Sequence, residues 1–383
     1  MKVGIITLPL YVNYGGILQT YALQTILKRM GHEVVVFQKK KKSLYKLPLW
    51  KYPFSYAKRI IYKCLVDHRF PIMLERKQRI ESPILRQHLI EFITTNINVQ
   101  TIERISEIDK YDIDAIIVGS DQIWRKEYVR RGWNANIQDV YLRFISNKKT
   151  LKISYAASFG VDEWMYSKKE TADCQQLIKD FFAVSVREMS AVSLCSKYLN
   201  IKATLVLDPT MLLTKKDYIS LFSNQNGNNS GRTLFCYLLD KTQDKLSLME
   251  TIAKERDFTR TVLMNVDMQD YVTSLSQRVI LPVEDWLKGF FEADFVLTDS
   301  FHGCVFSIIM GKPFVAIANS KRGCSRFISL LKMFDMENHL IFSKDDYQSG
   351  ESYDLSELTE KTLCDYRVKS MSFLQNSLNN SPA

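Results

Sequence analysis

The chain has 383 residues, of which 46% are hydrophobic and 12% aromatic, enough apolar material for the cores of two or three domains. This composition excludes a disordered or low-complexity chain. The seven cysteines are odd in number and far apart, with no CxxC pair and no histidine at zinc spacing. The pattern argues against a disulfide framework and a structural zinc site, and we expect no metal site.

The net charge is concentrated in one segment. The chain has 52 Lys and Arg against 42 Asp and Glu, a formal charge of +10. Residues 39–79 contain thirteen Lys and Arg against Asp67 and Glu75, so this segment accounts for the whole excess. The remainder is close to neutral, which predicts one basic surface with an anionic partner.

Residues 3–27 carry no charge, a length that would suit a signal peptide or a membrane span. Polar residues, Pro9 and the pair Gly15-Gly16 interrupt the stretch, and it lacks a basic leader and a small-residue cleavage site. We therefore expect a soluble cytoplasmic protein.

The first elements in chain order alternate as in a Rossmann-like domain. VGIITL (residues 3–8) is typical of a strand buried on both faces, and an amphipathic helix that ends at Gly31 follows it. HEVVVF (residues 32–37) supplies a second strand. The basic segment, at 39–85 with its flanks, shows no strand alternation and is predicted to be an insertion. The parallel sheet continues with three apolar runs at residues 114–121, 152–160 and 181–188.

A second alternating series begins after residue 210, beside a polar, glycine-rich loop predicted at 224–232. Its strand and helix patterns lie at residues 233–239, 259–264, 283–290, 294–300 and 312–318. The sequence thus predicts an α/β fold of two Rossmann-like domains facing across a cleft, at 1–210 and 211–350. We expect a final helix within 351–383 to pack back on the N-terminal domain.

Ligands of parallel α/β sheets bind beyond the carboxyl ends of the strands, where loops lead into helix N-termini. Gly15 and Gly16 precede a helix, where their small size would let an anion approach the backbone. Four polar loops follow apolar runs and are the candidate site: Asn13-Tyr14-Gly15-Gly16, Gly119-Ser120-Asp121-Gln122, Ser158-Phe159-Gly160 and Thr298-Asp299-Ser300-Phe301-His302-Gly303.

His302 is the strongest single candidate among the five histidines. It directly follows a predicted strand and precedes the helix-like stretch CVFSIIM, which places its imidazole at the cleft. A histidine there can serve as a general acid or base. The alternative is a helix capped by Asp299 or Ser300 beside a histidine that merely packs, and the residues alone leave both interpretations open.

Two further strand ends carry polar side chains suited to a ligand. Arg187 ends the run FFAVSVRE, where its planar fork would hold a phosphate or a carboxylate. A surface ion pair with Glu188, or a salt bridge between domains, is the alternative. Asp121 and Trp124, in GSDQIW, would offer a carboxylate and an aromatic platform for a sugar, although Asp121 is equally suited to cap a helix.

Taken in order, these stretches resemble the polysaccharide pyruvyl transferase family. The resemblance rests on GIITLPLYVNYGGILQTYALQ, VGSDQIW, SYAASFG, SVRE, LDPT, TDSFHG and KPFVAI, followed by an SRF segment. It covers most of the chain and leaves the basic insertion and the C-terminal tail uncovered. It implies transfer of pyruvate from phosphoenolpyruvate to a sugar diol, giving a cyclic ketal in exopolysaccharide or capsule biosynthesis. The implied fold is similar to that of GT-B glycosyltransferases.

The resemblance also assigns residues. It makes His302 the functional histidine and Arg187 the anion-binding arginine. Many members carry an arginine two positions before the histidine, where this chain has Ser300. Lys321 or Arg326, on the loop after the next strand, would replace that charge.

The implied chemistry fits the candidate residues. The methylene carbon of phosphoenolpyruvate must be protonated before a hydroxyl attacks the adjacent carbon, and His302 is suited to supply that proton. Asp121 or Asp299 would accept the proton of the sugar hydroxyl. Phosphoenolpyruvate is the donor substrate, and we expect no cofactor beside it.

Other functions stay open at this stage. A glycosyltransferase of the same architecture would use a nucleotide sugar, and an inert relative would bind a glycan or a protein, with Ser300 marking lost chemistry. For residues 39–79, eleven net positive charges and seven aromatic residues fit a membrane-surface segment that meets a lipid-linked acceptor. The alternative is a solvated helical insertion whose aromatic residues pack on the first domain. Nucleic acid is not an expected partner, because no recognition motif accompanies the charge.

Overall fold

The computed structural model describes residues 1–40, 49–68, 70–222, 231–264, 266–271, 273–318 and 323–379. Most of the loop predicted at 224–232 lies outside these ranges, and so does Lys321. None of the helices in the described ranges combines the length and the apolar character that a bilayer crossing needs.

Seven parallel strands of the described ranges form the N-terminal sheet. They are β1 (Lys2–Ile6), β2 (Glu33–Lys39), β3 (Val99–Ile102), β4 (Ala115–Val118), β5 (Leu151–Ala157), β6 (Ala183–Val186) and β7 (Thr204–Leu205). Their spatial order is β3-β2-β1-β4-β5-β6-β7. Strands β4 and β5 are buried along their whole length, because helices cover both faces of the sheet, and this explains their continuous apolar runs.

Eight helices accompany this half of the chain within the described ranges. They are α1 (Tyr14–Arg29), α2 (Tyr52–Leu65), α3 (Leu74–Leu85), α4 (Gln87–Asn96), α5 (Lys126–Trp133), α6 (Lys168–Leu177), α7 (Met189–Leu194) and α8 (Lys215–Ile219). The chain leaves α1 through Gly31, whose φ of +87° is favourable for glycine. The basic insertion forms α2 and α3, so its helical interpretation is confirmed for the described residues.

Five parallel strands form the C-terminal sheet: β8 (Thr233–Tyr237), β9 (Arg260–Leu263), β10 (Phe295–Thr298), β11 (Phe314–Ile317) and β12 (Leu340–Ile341). Their order is β12-β11-β10-β8-β9. The helices of this half, within the same described ranges, are α9 (Gln243–Glu255), α10 (Val283–Glu292), α11 (Phe301–Met310), α12 (Ser325–Met333) and α13 (Leu358–Asn379).

Each sheet has one point where the strand order reverses. In the N-terminal sheet it lies between β1 and β4, and in the C-terminal sheet between β8 and β10. A crevice opens at such a point beyond the carboxyl ends of the strands, and ligands of doubly wound sheets bind there. The predicted fold of two Rossmann-like units across a cleft is confirmed, and the two reversal points face the same cavity.

The last helix returns to the N-terminal sheet. The Ser370 hydroxyl of α13 accepts a hydrogen bond from the Leu207 N–H at 2.9 Å. The ring of Phe373 lies 6.2 Å from that of Tyr155, a residue of β5. Leu374 and Leu378 are buried in the same core. The N-terminal core therefore includes side chains from the end of the chain.

Candidate active site

A cavity of about 670 Å³ lies between the two sheets, at the carboxyl ends of their central strands. Loops after β1, β4, β8, β9 and β10 line it, together with the start of α12. The predicted site residues that line it are Asn13, Tyr14, Gly16, Asp121, Asp299, Ser300, His302 and Arg326. They meet because parallel strands direct their carboxyl ends to one edge of each sheet.

His302 stands in the first turn of α11 and is only 5% exposed. Its ring packs on Gly15 of α1, so the two domains touch at this point. A Cβ atom on Gly15 would lie 2.0 Å from His302 Nδ1. Gly15 does not line the cavity, and its small size makes room for the imidazole. Gly16 does line the cavity, beside Asn13.

Asp208 connects the imidazole to the buried charges. Its Oδ2 lies 3.7 Å from His302 Nε2, a distance for an ion pair that is too long for a hydrogen bond. The same oxygen accepts from Arg187 Nη1 at 2.5 Å, and Oδ1 accepts from the Thr210 hydroxyl at 2.7 Å. Burial would raise the pKa of Asp208, but His302 and Arg187 outweigh it and hold the pKa below its usual range. The carboxylate is therefore ionised beside the imidazole.

Arg187 is buried and divides its fork between two carboxylates. Nη1 binds Asp208, and Nη2 donates to Asp121 Oδ1 at 2.9 Å. Burial would lower the pKa of Arg187, but the carboxylates of Asp208, Asp121 and Glu188 raise it. Arg187 does not line the cavity. Its guanidinium, which the sequence predicted to bind the donor, instead binds two carboxylates of the protein. Direct donor contact would require one of these ion pairs to open.

Arg326 is the guanidinium that lines the cavity among the described residues. It is the second residue of α12, and its guanidinium carbon lies 5.5 Å from the centre of the Phe301 ring. The guanidinium carbon of Arg187 is 4.6 Å from the same ring. Burial lowers the pKa of Arg326 to about 10, and the neighbouring Arg187 acts in the same direction. The group stays charged near neutral pH.

Asp121 lines the cavity from the loop after β4. Its backbone has a φ of 57°, a left-handed conformation that costs a non-glycine residue free energy and occurs often at functional sites. Asn13 Nδ2 lies 3.5 Å from Asp121 Oδ2, so this side chain does not cap α1. Burial would raise the pKa of Asp121, but Arg187, His302 and Arg326 lower it.

Asp299 lines the cavity but is already bound by several donors. It accepts from the backbone N–H groups of Leu239 and Asp240 at 2.5 and 3.2 Å, and from Lys245 Nζ at 2.5 Å. These contacts join the loops after β8 and β10. The neighbouring Ser300 is the N-cap residue of α11, and its side chain makes no capping hydrogen bond.

Tyr14, in the N-terminal domain, packs against the C-terminal domain. Its hydroxyl donates to the Leu281 carbonyl at 2.8 Å, and its ring stacks on Trp286 of α10 with centroids 5.4 Å apart. Burial raises the pKa of Tyr14, with Tyr237 and Asp285 contributing. The side chain is thus anchored in an aromatic cluster of the C-terminal domain.

Two predicted residues lie behind the site. Trp124 is completely buried and stacks on Tyr141 with ring centroids 5.1 Å apart, so it offers no platform to the cavity. Ser158 is also buried, and its hydroxyl accepts from the Gly160 N–H at 3.0 Å. Trp124 points away from the cavity because the adjacent core provides apolar contacts for its ring.

Sequence reasoning missed Asp208 as a site residue, although the motif LDPT contains it. It also missed the cavity wall formed by Met264 and residues 266–269, which follows β9. The order of motifs would have pointed to Asp208, since LDPT follows SVRE among them. The wall after β9 carries no sequence pattern that distinguishes it from an ordinary loop.

Comparison with known proteins adds a family and a fold. The model of the family described as polysaccharide pyruvyl transferase matches residues 13–321. That range includes every predicted site residue except Arg326. No curated protein matches the chain in sequence.

Solved structures resemble the fold at low identity. A protein assigned as UDP-N-acetylglucosamine 2-epimerase from Listeria monocytogenes is 11% identical, with a TM-score of 0.50 over 100% of this chain and 92% of that one. Arabidopsis thaliana UGT89C1, complexed with UDP-L-rhamnose, is 12% identical, with a TM-score of 0.46 over 98% and 97%. E. coli ADP-heptose LPS heptosyltransferase II is 11% identical, with a TM-score of 0.37 over 98% and 99%. The fold is GT-B-like, as the sequence predicted.

Proposed function

Because the chain belongs to the polysaccharide pyruvyl transferase family, whose members are transferases, we propose that it moves pyruvate from phosphoenolpyruvate to a sugar diol. The product is a cyclic ketal on a polysaccharide or on its lipid-linked precursor. The basic insertion is the part of the chain that would meet a membrane. The observation that carries the proposal is an imidazole at the cavity, paired with a buried carboxylate and close to two buried guanidinium groups.

The proposed reaction needs one proton at the start. His302 gives a proton to the methylene carbon of phosphoenolpyruvate, which becomes a methyl group, and the adjacent carbon becomes electrophilic. One sugar hydroxyl adds to that carbon and loses its proton. The bond from carbon to the phosphate oxygen then breaks, and the second hydroxyl adds to the same carbon, closes the ring and loses its proton. One of the two hydroxyl protons returns to His302, and the other leaves on the phosphate. One donor and one diol give one ketal and one inorganic phosphate.

Asp208 and Arg187 support the imidazole from behind. Asp208 Oδ2, held by Arg187 at 2.5 Å, faces Nε2 of His302 and would fix the orientation of the ring. Both groups are nearly inaccessible to water, which strengthens the interaction. In this scheme Arg187 is a positioning residue, and its fork keeps Asp208 and Asp121 in place.

Asp121 is the better of the two predicted proton acceptors. It lines the cavity, and its described contacts with Arg187 and Asn13 leave the carboxylate at the cavity wall. Asp299 instead receives two hydrogen bonds from the loop after β8 and one from Lys245 of α9. We therefore assign the sugar hydroxyl's proton to Asp121 and a structural task to Asp299.

Arg326 takes the place of the charge that Ser300 lacks. It lines the same cavity as His302 and belongs to the first turn of α12. The starts of α1 and α11 face the cavity as well, and backbone N–H groups there would bind phosphate oxygens. The three negative charges of the donor would thus meet one guanidinium and two helix N-termini.

The test is release of inorganic phosphate from phosphoenolpyruvate with a panel of sugar and lipid-linked acceptors. His302→Ala should lower kcat by about 10²-fold or more, because the general acid is lost. The matched control is His339→Gln, since His339 is equally buried but packs between Phe314 and Tyr353, outside the cavity lining. An active His302→Ala enzyme would contradict the proposed acid.

Donor binding has its own measurement. Phosphoenolpyruvate should raise Tm, because a ligand of the native state stabilises it, and Arg326→Lys should weaken this shift and raise KM. Arg256→Lys is the control, because its guanidinium packs on Phe295 at 4.6 Å, outside the described cavity lining. A Tm shift with UDP- or GDP-sugars and none with phosphoenolpyruvate would identify a glycosyltransferase instead.

A further inference from the structure

Helix α2 turns its apolar stripe outward. Phe54, Ile61 and Leu65 follow one another along the helix at spacings of seven and four residues, and they are 76%, 58% and 78% exposed. A surface helix of a globular protein normally buries this stripe against the core. None of the residues of α2 is buried, so the helix adds no side chain to the N-terminal core.

Helix α3 repeats the arrangement. Ile80 and Ile84 are exposed on it, and Met73, which directly precedes the helix, is exposed too. Arg76 and Arg79 lie exposed among them. We use the name α2–α3 face for this surface, and its defining residues are Phe54, Lys58, Ile61, Leu65, Arg76, Arg79 and Ile80.

An ion pair joins α2 and α3, so the α2–α3 face is preformed. Arg59 and Glu75 make a two-pronged pair across them, with distances of 2.7 and 2.6 Å. Both side chains are largely shielded from solvent. The pairing orders the helices before any partner arrives, which reduces the entropy lost on binding.

The charge of the α2–α3 face is positive. Lys58, Arg76 and Arg79 make no ion pair with any residue that the structure describes. The nearby carboxylates are occupied, because Glu75 is bound by Arg59 and Glu81 by Lys77 and Arg278. Exposed cations between exposed aliphatic and aromatic side chains are complementary to a surface with anionic headgroups and an apolar interior.

We propose that the α2–α3 face docks on an anionic lipid bilayer. Phe54, Ile61 and Leu65 would enter the interface, while the basic side chains contact headgroups. A second copy of the chain is a poor occupant, because two equally basic faces repel each other. Nucleic acid would use the cations but leaves the aliphatic stripe exposed to water.

The inner side of α3, opposite its exposed residues, lies next to the cavity. Ser82 Oγ of α3 is 3.4 Å from the hydroxyl of Tyr11, a cavity-lining residue, and Arg86 stacks 3.9 Å above the Tyr11 ring. Arg278, before α10, binds Glu81 of α3 at 3.0 Å. Docking would therefore hold the cavity beside the membrane. If the proposed function also holds, this position suits a lipid-linked acceptor.

The test is co-sedimentation of the full chain with vesicles. We would compare phosphatidylcholine vesicles with and without about 30% phosphatidylglycerol, at about 50 mM and about 500 mM salt. The chain should bind the anionic vesicles at low salt and lose most of that binding at high salt. The triple variant F54S/I61S/L65S should bind at least about ten-fold less, because it removes the inserted apolar area.

The matched control is F342S/L358S/V368S, which removes three equally exposed apolar side chains away from the face. It should bind vesicles like the wild type, and circular dichroism should show all variants folded. No sedimentation with anionic vesicles at low salt, or equal loss in both triple variants, would overturn the proposal. The readout needs no catalysis, so failure of the proposed function leaves this result interpretable.

Discussion

The site and the α2–α3 face use the same kinds of basic side chain in opposite ways. At the site, Arg187 is buried and each of its Nη atoms binds a carboxylate, so the cluster adds almost nothing to the net charge. On the face, Arg76 and Arg79 are exposed and have no ion pair within the described residues. The formal charge of +10 therefore reflects exposed side chains, and it gives no information about the buried charges of the site. Buried charges must be paired to be tolerated, whereas exposed ones stay available for a partner.

The largest effect should follow from Asp208→Asn. Arg187 would stay buried with one ionic partner fewer, and His302 would lose the carboxylate that lies 3.7 Å from its Nε2, so the free energy of unfolding should fall by about 3–5 kcal/mol. Phosphate release should fall as well. Urea denaturation measures the first effect. Glu33→Gln is the exposed control, since it removes only a solvated pair with Lys2 and should cost less than about 1 kcal/mol.

Gly15→Ala tests how tightly the buried site is packed around His302. The added methyl group would lie 2.0 Å from His302 Nδ1, so the imidazole must shift. A displacement of this size should lower kcat by about 10²-fold. Gly289→Ala is the matched control, because its methyl would lie 2.2 Å from the ring of Phe235, and neither residue lines the cavity. Equal activity of both variants would show that the position of the ring does not matter.

Two buried carboxylates beside Arg187 should respond to pH with opposite signs. The pKa of Asp121 is lowered in the folded state, so its stabilisation is present above the unfolded pKa of about 3.9 and is lost as pH falls through the folded pKa. Burial raises the pKa of Glu188, so its stabilisation is present below about 4.3 and is lost as pH rises through the folded pKa.

Urea unfolding between about pH 2 and pH 8 measures this contrast, because the change for Asp121 lies below its unfolded pKa of about 3.9 and the change for Glu188 lies above about 4.3. With rising pH, Asp121→Asn should become less stable relative to wild type, and Glu188→Gln should become more stable relative to it. The same trend in both variants would mean that Arg187 does not distinguish the two carboxylates.

The smallest effect concerns a single exposed cation. Arg79→Ala should reduce binding to anionic vesicles by about five-fold at low salt, because each basic contact contributes about 1 kcal/mol, and the difference should vanish at high salt. Lys148→Ala, an exposed residue outside the insertion, should bind like the wild type. A salt-independent loss would indicate that Arg79 acts through folding.

The sequence predicted the sheets well because their central strands are buried on both faces. It did not predict the edge strands β3 and β12: VQTI of β3 is half polar, and β12 has two residues. His302 and Asp121 line the cavity because each follows a strand and topology brings strand ends together, whereas Arg326 was named only because this chain has Ser300 where many members of the resembling family carry an arginine.

The direction of a side chain was beyond the same reasoning. The sequence placed Arg187 at a strand end, but Asp208, which binds its guanidinium, lies 21 residues further along the chain. Trp124 also follows a strand, and only the packed core determines that it faces inward. Position along the chain predicts proximity, whereas orientation depends on partners that are distant in sequence.

The return of α13 to the N-terminal sheet has a consequence for synthesis. Ser370, Phe373 and Leu374 complete a core whose first strand begins at Lys2. A nascent chain on the ribosome emerges from its N-terminus, so the first domain exposes part of its apolar surface until α13 has been made. The second domain can form meanwhile, because its five strands lie between residues 233 and 341. The domain that begins first is therefore the one that finishes last.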